Sequence, residues 1–229
     1  MKYGVIIVAG GKGQRMGADI PKQFLLLKGK PILMYTIERF YSLDSSMEIV
    51  VVLPESEQDY WRQLCQEYKF SVQHKITSGG KTRFHSVQNG LRAIVNSEIV
   101  GVHDGVRPFV SEQTLKNCYN TAKEKGTAIP VMPVIESIRK IDGEVSESCD
   151  RSKYRLVQTP QVFEIDLLRR SYNVDYLDTF TDDASVVEAE GYLVSLVEGN
   201  IENIKITSPM DLAVGEYFVM VNKLNNQEE

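Results

Sequence analysis

The sequence predicts an α/β fold: a mostly parallel sheet with helices on both faces, plus a protruding β-arm. β-branched apolar runs alternate with amphipathic helical stretches along most of the chain. This alternation implies right-handed crossovers between neighbouring parallel strands. One long stretch, residues 134–158, has no helical period. Because so long a helix-free segment is unusual inside such a chain, we expect it to leave the body of the fold as an arm.

Strands and helices alternate in the first half of the chain. Residues 48–53 form a continuous apolar run closed by Pro54, which is typical of a strand buried on both faces. Pro31 is placed to begin a helix. Further predicted elements here are strands at 5–8, 71–76 and 99–103 and helices at about 33–40, 57–68 and 87–94.

Capping and turn residues mark the elements of the second half. Ser111 is a good N-cap and Gly126 a good terminator, so a helix is predicted between them, followed by a strand at 127–133. Asp142-Gly143 indicates the turn of a hairpin. The remaining predictions are helices at 166–174 and 182–190, the latter capped by Thr181, strands at 193–198 and 203–206, and a last helix capped by Ser208 with Pro209 first. We interpret residues 1–229 as a single domain with residues 134–158 as its arm.

Bulk properties exclude several classes of protein. The net charge of -5 argues against generic nucleic-acid binding, which needs a basic face. The three cysteines, Cys65, Cys118 and Cys149, have neither metal-site spacing nor the even number of a disulfide framework, so we expect a cytoplasmic protein. The opening apolar run is short and interrupted by glycine, so no membrane span or signal peptide is predicted.

The first apolar run leads into a glycine-rich loop with two cations. Its glycines and cations are Gly10, Gly11, Gly13, Arg15 and Lys22. Glycine permits positive φ and close approach, so successive N–H groups can turn toward one anion. The cations would neutralise charge that the amides alone cannot. The loop therefore predicts a site for a nucleoside triphosphate.

Two common phosphate-binding patterns do not fit. Gly80-Lys81-Thr82 ends like a P-loop, but Lys75 stands where its first glycine should be. The dinucleotide pattern requires a third glycine at the position of Met16. These mismatches argue against a kinase-like P-loop protein and against a dehydrogenase.

Polar residues follow several of the predicted strands. The first glycine loop, a second loop at 78–83 and Asp104-Gly105-Val106-Arg107 all come directly after apolar runs. Ligands of parallel sheets bind at the carboxyl ends of the strands, so these segments should converge at one edge. A carboxylate such as Asp104 among phosphate-binding cations makes chemical sense mainly as a Mg²⁺ ligand.

Eight motifs, in order and register over nearly the whole chain, resemble one family, the 2-C-methyl-D-erythritol 4-phosphate cytidylyltransferases. They are Ala9-Gly10-Gly11 with Arg15, Pro21-Lys22-Gln23, Gly79-Gly80 with Arg83 and Ser86-Val87, His103 to Pro108, Thr159-Pro160-Gln161, Thr181 to Ser185, Val197-Glu198-Gly199 and Asn203 to Thr207. The resemblance implies a Rossmann-like fold of the nucleotide-diphospho-sugar transferase type. It also implies cytidylyl transfer from CTP to methylerythritol phosphate in non-mevalonate isoprenoid synthesis.

The resemblance also implies residue roles. Arg15, Lys22 and Lys205 would be catalytic, and Asp104 would help bind Mg²⁺. CTP would contact Ala9, Gly10, Gly11, Gly13, Gly79, Gly80, Arg83, Ser86, Asp104 and Gly105. The methylerythritol phosphate would contact Arg107, Ser137, Arg151, Thr159 and Lys205. The 134–158 arm would form a homodimer in which Ser137 and Arg151 reach the partner's site.

Two other functions stay open at this stage. A ribitol 5-phosphate cytidylyltransferase would share the glycine loop, Asp104 and Arg107, although residues 138–140 and 181–185 look nearer to the methylerythritol enzymes. A non-catalytic CTP-binding protein would bind CTP without releasing pyrophosphate. Turnover with each polyol phosphate distinguishes all three.

Overall fold

The strands of this chain form one mixed sheet and two small ribbons. A computed structural model describes residues 1–11 and 20–225. The strands within these residues are β1 (Tyr3–Val8), β2 (Leu26–Leu27), β3 (Lys30–Pro31), β4 (Glu48–Leu53), β5 (Lys75–Ser78), β6 (Ile99–Asp104), β7 (Thr127–Pro133), β8 (Arg139–Asp142), β9 (Val145–Ser148), β10 (Arg155–Val157), β11 (Gln161–Glu164) and β12 (Leu196–Glu198). The helices are α1 (Ile32–Leu43), α2 (Glu55–Glu67), α3 (Arg83–Ala93), α4 (Glu112–Lys125), α5 (Ile165–Ser171), α6 (Asp183–Ala189) and α7 (Pro209–Asn225).

The main sheet is parallel at its centre and antiparallel on one side. Its order is β10-β7-β11-β6-β1-β4-β5, with β12 pairing in parallel with β7. β1 lies parallel to β4 and β6, and β4 parallel to β5. β11 runs antiparallel between β6 and β7, and β10 runs antiparallel to β7. The predicted fold class, a mostly parallel sheet in an α/β chain, is confirmed.

Both faces of the central strands are covered, which explains their continuous apolar sequences. In β1, Val5 and Ile7 pack into one cluster with side chains of α1, α2 and α4. Ile6 points to the opposite face and packs with α3, α5 and α6. Because successive strand residues face opposite sides, a strand between two helical layers needs apolar residues at every position. The predicted bounds of β4 and β7 are confirmed for this reason.

Capping also behaves largely as predicted. Ser111 Oγ accepts the N–H of Thr114 at 3.0 Å, and Gly126 ends α4 with a φ of 83°. One capping prediction was wrong: Thr181 is not the N-cap of the helix that follows it. Asp182 is the N-cap of α6, because its carboxylate accepts the N–H of Ser185 at 2.9 Å and Ser185 Oγ in return accepts the N–H of Asp182.

Other predicted elements were misplaced or wrong. The hairpin turn consists of Gly143-Glu144, because Asp142 pairs with Val145 and only Gly143 has to adopt a positive φ. The strand predicted at 71–76 begins only at Lys75. Residues 203–206, all within the described part of the chain, form no strand. Their backbone is joined to the turn after β6 by hydrogen bonds from Ile206 N–H to the Val106 carbonyl at 3.0 Å and from Arg107 Nη1 to the Asn203 carbonyl at 2.7 Å.

Part of the predicted 134–158 arm, β8 and β9, is a hairpin separate from the main sheet, whereas Arg155–Val157 near its end form β10 and pair with β7 in that sheet. Every residue of β8 and β9 is exposed, and these strands pair only with each other among the described residues. Ile135, Ile141 and Val145 are each at least two-thirds exposed. A two-stranded hairpin has little stability of its own, so apolar residues here favour burial against another surface. The division into one domain with an arm stays a prediction.

No helix of the described residues has both the length and the apolar character needed to cross a membrane.

Glu48, the first residue of β4, ties together the ends of three segments. Its carboxylate accepts hydrogen bonds from Lys75 Nζ at 2.7 Å and from the N–H groups of Val95 and Asn96 at 3.1 and 2.9 Å. Partial burial by itself would raise the pKa of this carboxyl. The hydrogen bonds outweigh the burial and lower the pKa to about 2.

We expect Glu48→Gln to lower the free energy of unfolding by about 1–3 kcal/mol at pH 7, because charged hydrogen bonds are lost. A carboxyl with a lowered native pKa stabilises the fold above its unfolded pKa and loses this effect as pH falls. The difference between the two proteins should therefore shrink between pH 4.5 and about 2. Urea unfolding across this range measures it, with the exposed Glu67→Gln as control. A pH-independent difference would contradict the assignment.

Candidate active site

A cavity of about 290 Å³ lies at the carboxyl ends of β1 and β6. Both glycine loops and Asp104 meet there, as predicted from the order of strands and loops. The lining residues are Val8, Ala9, Gly10, Gly11, Lys22, Gln23, Gly80, Lys81, Thr82, Arg83, Ser86, Asp104, Val106 and Lys205. Nine of them were predicted as site residues. The predicted residues Gly13 and Arg15 lie outside the described residues.

Lys22 is held close to the first glycine loop. A Cβ at Gly11 would come within 2.9 Å of Lys22 Cε, so a side chain at this position would displace the lysine. Lys22 begins a 3₁₀ turn whose next two residues are buried. Gln23 Nε2 donates to Glu57 at 2.6 Å, and the Phe24 ring stacks on Trp61 at 5.9 Å. The backbone that carries Lys22 is therefore fixed to α2.

The second glycine loop is closed by its own hydrogen bonds. The N–H of Gly80 donates to Ser86 Oγ at 3.0 Å, and this hydroxyl donates to the Thr82 carbonyl at 3.0 Å. A Cβ at Gly80 would overlap His85. The N–H of Gly79 donates to the Leu53 carbonyl at 2.8 Å and joins the loop to β4. The loop is thus preformed, with its glycine backbone at the cavity wall.

Asp104 lies between three cations. Its Oδ2 is 3.0 Å from Lys205 Nζ and 3.3 Å from Arg107 Nε, and its Oδ1 is 3.8 Å from Arg83 Nε. Burial would raise the pKa of this carboxyl. Arg83, Lys205 and Arg107 lower it far below the usual range, so Asp104 is ionised. Three cations thus face two carboxylates, Asp104 and the Asp183 that pairs with Arg83, and the remaining positive charge suits phosphate groups.

Arg83 is oriented by a second carboxylate. Its two terminal nitrogens bond Asp183 Oδ1 and Oδ2 at 2.9 and 2.6 Å, a bidentate pair. Asp183 is fully buried and also accepts the hydroxyl of Tyr172 at 2.7 Å. Burial lowers the pKa of Arg83, but Asp183 raises it above its usual value, so the charge is permanent. The first residue of α6 therefore directs a cation of α3 toward the cavity.

We expect Asp183→Ala to lower the free energy of unfolding by about 2–4 kcal/mol, because it leaves Arg83 and Tyr172 without this partner. This loss in the free energy of unfolding is smaller than the loss expected for a fully buried ion pair, because the Arg83 side chain is 30% exposed. Thermal and urea unfolding measure the loss. The exposed Asp175→Ala on the same side of the fold is the control, and equal stability of the two variants would contradict the prediction.

Three predicted residues lie just behind the cavity. Gly105 continues the backbone after Asp104 and bonds the Val8 carbonyl at 2.9 Å. Thr159 Oγ1 accepts the N–H of Asp104 at 3.1 Å, and Arg107 Nη1 donates to the Asn203 carbonyl at 2.7 Å. These residues can set the shape of the site from behind.

Among the predicted residues that the structure describes, Ser137 and Arg151 lie away from this cavity. Both are exposed on the arm, where Arg151 donates to the Ile135 carbonyl. Their placement leaves them accessible to another subunit, and their predicted role stays a prediction.

Several residues of the site were not predicted from sequence. Gln23, Lys81 and Thr82 line the cavity, and each lies next to a predicted residue in a glycine or Pro-Lys motif, so their positions in the chain were a usable signal. Asp183 belongs to the Thr181 to Ser185 motif, but no function was predicted for it from the sequence.

His103 is fully buried below Asp104, and burial lowers its pKa to about 4, so its imidazole is neutral at pH 7.

No group of three or more His, Cys, Asp or Glu side chains within residues 1–11 and 20–225 is placed to hold a metal ion. Asp104 is ionised, and its Oδ1 has a longer ion pair than its Oδ2. The site can thus offer one carboxylate oxygen to a cation carried mainly by phosphate oxygens, which is a usual arrangement for Mg²⁺.

Comparison with known proteins gives a consistent family. A protein-family model described as 2-C-methyl-D-erythritol 4-phosphate cytidylyltransferase matches residues 3–221. A protein of that name from Phocaeicola vulgatus is 57% identical over 219 residues, covering 96% of this chain and 100% of the relative. Another from Bacteroides thetaiotaomicron is 54% identical over 215 residues, covering 94% and 98%.

Solved structures agree. The crystal structure of the 2-C-methyl-D-erythritol 4-phosphate cytidylyltransferase from Thermus thermophilus matches with a TM-score of 0.77 at 33% identity, covering 95% of this chain and 98% of the other. The 4-diphosphocytidyl-2C-methyl-D-erythritol synthase of Anaerococcus prevotii matches with a TM-score of 0.82 at 25% identity, covering 96% and 98%. The resemblance seen in the motifs is confirmed, and the chain belongs to the 2-C-methyl-D-erythritol 4-phosphate cytidylyltransferase family.

Proposed function

We propose that this chain transfers a cytidylyl group from CTP to 2-C-methyl-D-erythritol 4-phosphate, in non-mevalonate isoprenoid synthesis. The products are 4-diphosphocytidyl-2-C-methyl-D-erythritol and pyrophosphate. The observation that carries the proposal is the cavity itself. Arg83 and Lys205 pair there with the ionised Asp104, and Lys22 lines the same cavity beside its glycine-lined wall. Family membership supplies the identities of the two substrates.

CTP binds between the two glycine loops in this proposal. The N–H groups of the first loop and the cations Arg15 and Lys22 hold the triphosphate. The second loop, through Gly79, Gly80 and Ser86, contacts the cytosine and ribose, largely with backbone groups. The preformed hydrogen bonds of Ser86 within this loop support that role, because a rigid wall discriminates between bases at little entropic cost.

The reaction is an in-line displacement at the α-phosphorus of CTP. A phosphate oxygen of the acceptor forms the new P–O bond while the bond to the pyrophosphate oxygen breaks. The attacking oxygen is already anionic, so no base is required. Catalysis then depends on positioning and on stabilising the charge that builds up on the phosphate oxygens.

The acceptor lies on the side of Arg107, Thr159 and Lys205. Lys205 Nζ is 3.0 Å from Asp104 and 42% exposed, so it can turn from this carboxylate toward an incoming phosphate. Arg107 is held more tightly, between Asp104 and the Asn203 carbonyl. Lys205 thus serves as the mobile cation and Arg107 as the fixed one.

Mg²⁺ is the proposed cofactor. Asp104 Oδ1 would provide one protein ligand, and the triphosphate oxygens would provide further ones. The ion would neutralise part of the negative charge on the reacting phosphates.

We also propose a homodimer formed by the 134–158 arm, in the cytoplasm. The exposed Ile135, Ile141 and Val145 give the arm apolar surface to bury against a second copy. Ser137 and Arg151 would then contact the acceptor phosphate in the partner's site. The free thiols of Cys65, Cys118 and Cys149 support a reducing compartment.

A pyrophosphate-release assay tests the function. Each of the four nucleoside triphosphates is combined with methylerythritol phosphate or with ribitol 5-phosphate. We expect turnover with CTP and methylerythritol phosphate to exceed every other combination by at least tenfold. Preference for ribitol 5-phosphate, or CTP binding without pyrophosphate release, would overturn the proposal.

A further inference from the structure

Behind Asp104, four residues form a closed ring of hydrogen bonds. His103 Nδ1 and Thr159 Oγ1 are 3.0 Å apart, and His103 Nε2 is 3.0 Å from the Arg107 carbonyl. Arg107 Nη1 donates to the Asn203 carbonyl at 2.7 Å. Asn203 Nδ2 donates to the Thr159 carbonyl at 2.9 Å and completes the ring. Each member thus fixes the next, across segments that are far apart in the chain.

The donors and acceptors of this ring allow one arrangement of protons around a neutral imidazole. The Arg107 carbonyl can only accept, so His103 Nε2 carries the ring hydrogen and Nδ1 is an acceptor. Because Nδ1 carries no hydrogen in this tautomer, the Thr159 hydroxyl donates to it, while Thr159 Oγ1 accepts the N–H of Asp104 at 3.1 Å. Every bond in the ring then has one donor and one acceptor, so the four residues hold one another in place.

The ring fixes both ends of the turn that carries the charged side chains. Arg107 N–H donates to the Asp104 carbonyl at 3.1 Å, and Arg107 Nε lies 3.3 Å from Asp104 Oδ2. His103 is fully buried, with its ring edge-on to Phe40 at 4.9 Å. The histidine can therefore act on substrate only through its neighbours.

We propose that His103 is a positioning residue for the acceptor, through Thr159 and Arg107. Its imidazole holds the 104–107 turn and thereby fixes the Arg107 guanidinium beside Asp104, with which Lys205 also pairs. The inference rests on the proposed function, because it assigns Arg107 to the acceptor phosphate. It adds a residue that does not itself line the cavity.

His103→Phe with His74→Phe as a matched control tests this role. Phenylalanine keeps a ring against Phe40 but loses both hydrogen bonds. His74 also makes two ring-nitrogen contacts, with Trp61 Nε1 at 3.0 Å and the Val72 carbonyl at 2.8 Å. It lies just before the edge strand β5, which β1 and β4 separate from β6. We expect His103→Phe to raise the KM for methylerythritol phosphate at least tenfold, with the Kd for CTP within about threefold. His74→Phe should leave both constants within about threefold at a similar loss of Tm.

A second pair of variants keeps the inference testable if His103→Phe does not fold. Thr159→Val removes the hydroxyl that links His103 to Asp104, whereas Thr159→Ser keeps it. The chain has three histidines, so the ¹⁵N signals of the His103 ring can be assigned in labelled protein. We expect the spectra to show a hydrogen on Nε2 and an Nδ1 signal that shifts in Thr159→Val. In Thr159→Ser, the Nδ1 signal should return to its original position, and the KM for methylerythritol phosphate should return close to that of the unmodified enzyme.

Either of two results would overturn the inference. The first is a hydrogen on Nδ1 of His103, or an Nδ1 signal that Thr159→Val leaves in place. The second is a His103→Phe enzyme whose acceptor KM and CTP Kd change no more than those of His74→Phe. Failure of the proposed function is separate, because it is seen as absent turnover in the unmodified enzyme.

Discussion

Lys22→Ala is expected to reduce pyrophosphate release from CTP and methylerythritol phosphate at least a hundredfold. Lys22 lines the cavity beside Gly11, where the triphosphate would lie. Its ammonium would stabilise charge that grows on the phosphate oxygens during transfer. Loss of one such group costs about 3–4 kcal/mol of barrier, by analogy with removing an oxyanion-hole donor.

The fold of this variant should persist. The turn is anchored by Gln23 and Phe24, which are buried, whereas Lys22 itself is half-exposed. We expect a Tm within a few degrees of the unmodified protein and a fall in kcat larger than the rise in the KM for CTP. Lys116→Ala, an exposed lysine of α4, is the control for loss of a surface charge. Near-normal turnover of Lys22→Ala would refute the catalytic assignment.

The central strands and capped helices of this fold could be predicted because their signals are local. β4 and β7 are continuous apolar runs bounded by turn residues, and the predicted bounds agree with the structure. β10 and β11 are only three and four residues long and take their strand character from pairing with β7 and β6. No periodicity within so short a segment distinguishes it from a loop.

The convergence of the site could also be predicted, because parallel strands deliver their carboxyl ends to one edge. Which charged side chains of the site pair with each other could not be predicted from the sequence. Arg83 and Asp183 are 100 residues apart, and their bidentate contact depends on how α3 and α6 pack on the sheet. The same holds for His103 and Thr159, which meet only because β11 inserts antiparallel beside β6.

Arg151→Ala is expected to lower activity about a hundredfold by removing a cation from the partner's acceptor site. Arg151 is exposed on the arm and lies outside the cavity of its own chain, so in this proposal it acts only within a dimer. Loss of a single phosphate-directed donor has an effect of this size. The KM for methylerythritol phosphate should rise, whereas the Kd for CTP should change little.

Mixing this variant with Lys22→Ala gives the sharper result, because in a symmetric dimer each arm serves the other subunit's site. Random mixing makes about half of the dimers heterodimers, and each heterodimer has one site with both Lys22 and Arg151. About a quarter of the unmodified activity should therefore return. Lys22→Ala mixed with Lys205→Ala is the control, because both lysines line one cavity in the same subunit and no intact site can form. If heterodimers are confirmed by native mass spectrometry and activity does not return, Arg151 serves its own subunit and the proposed exchange of arms is wrong.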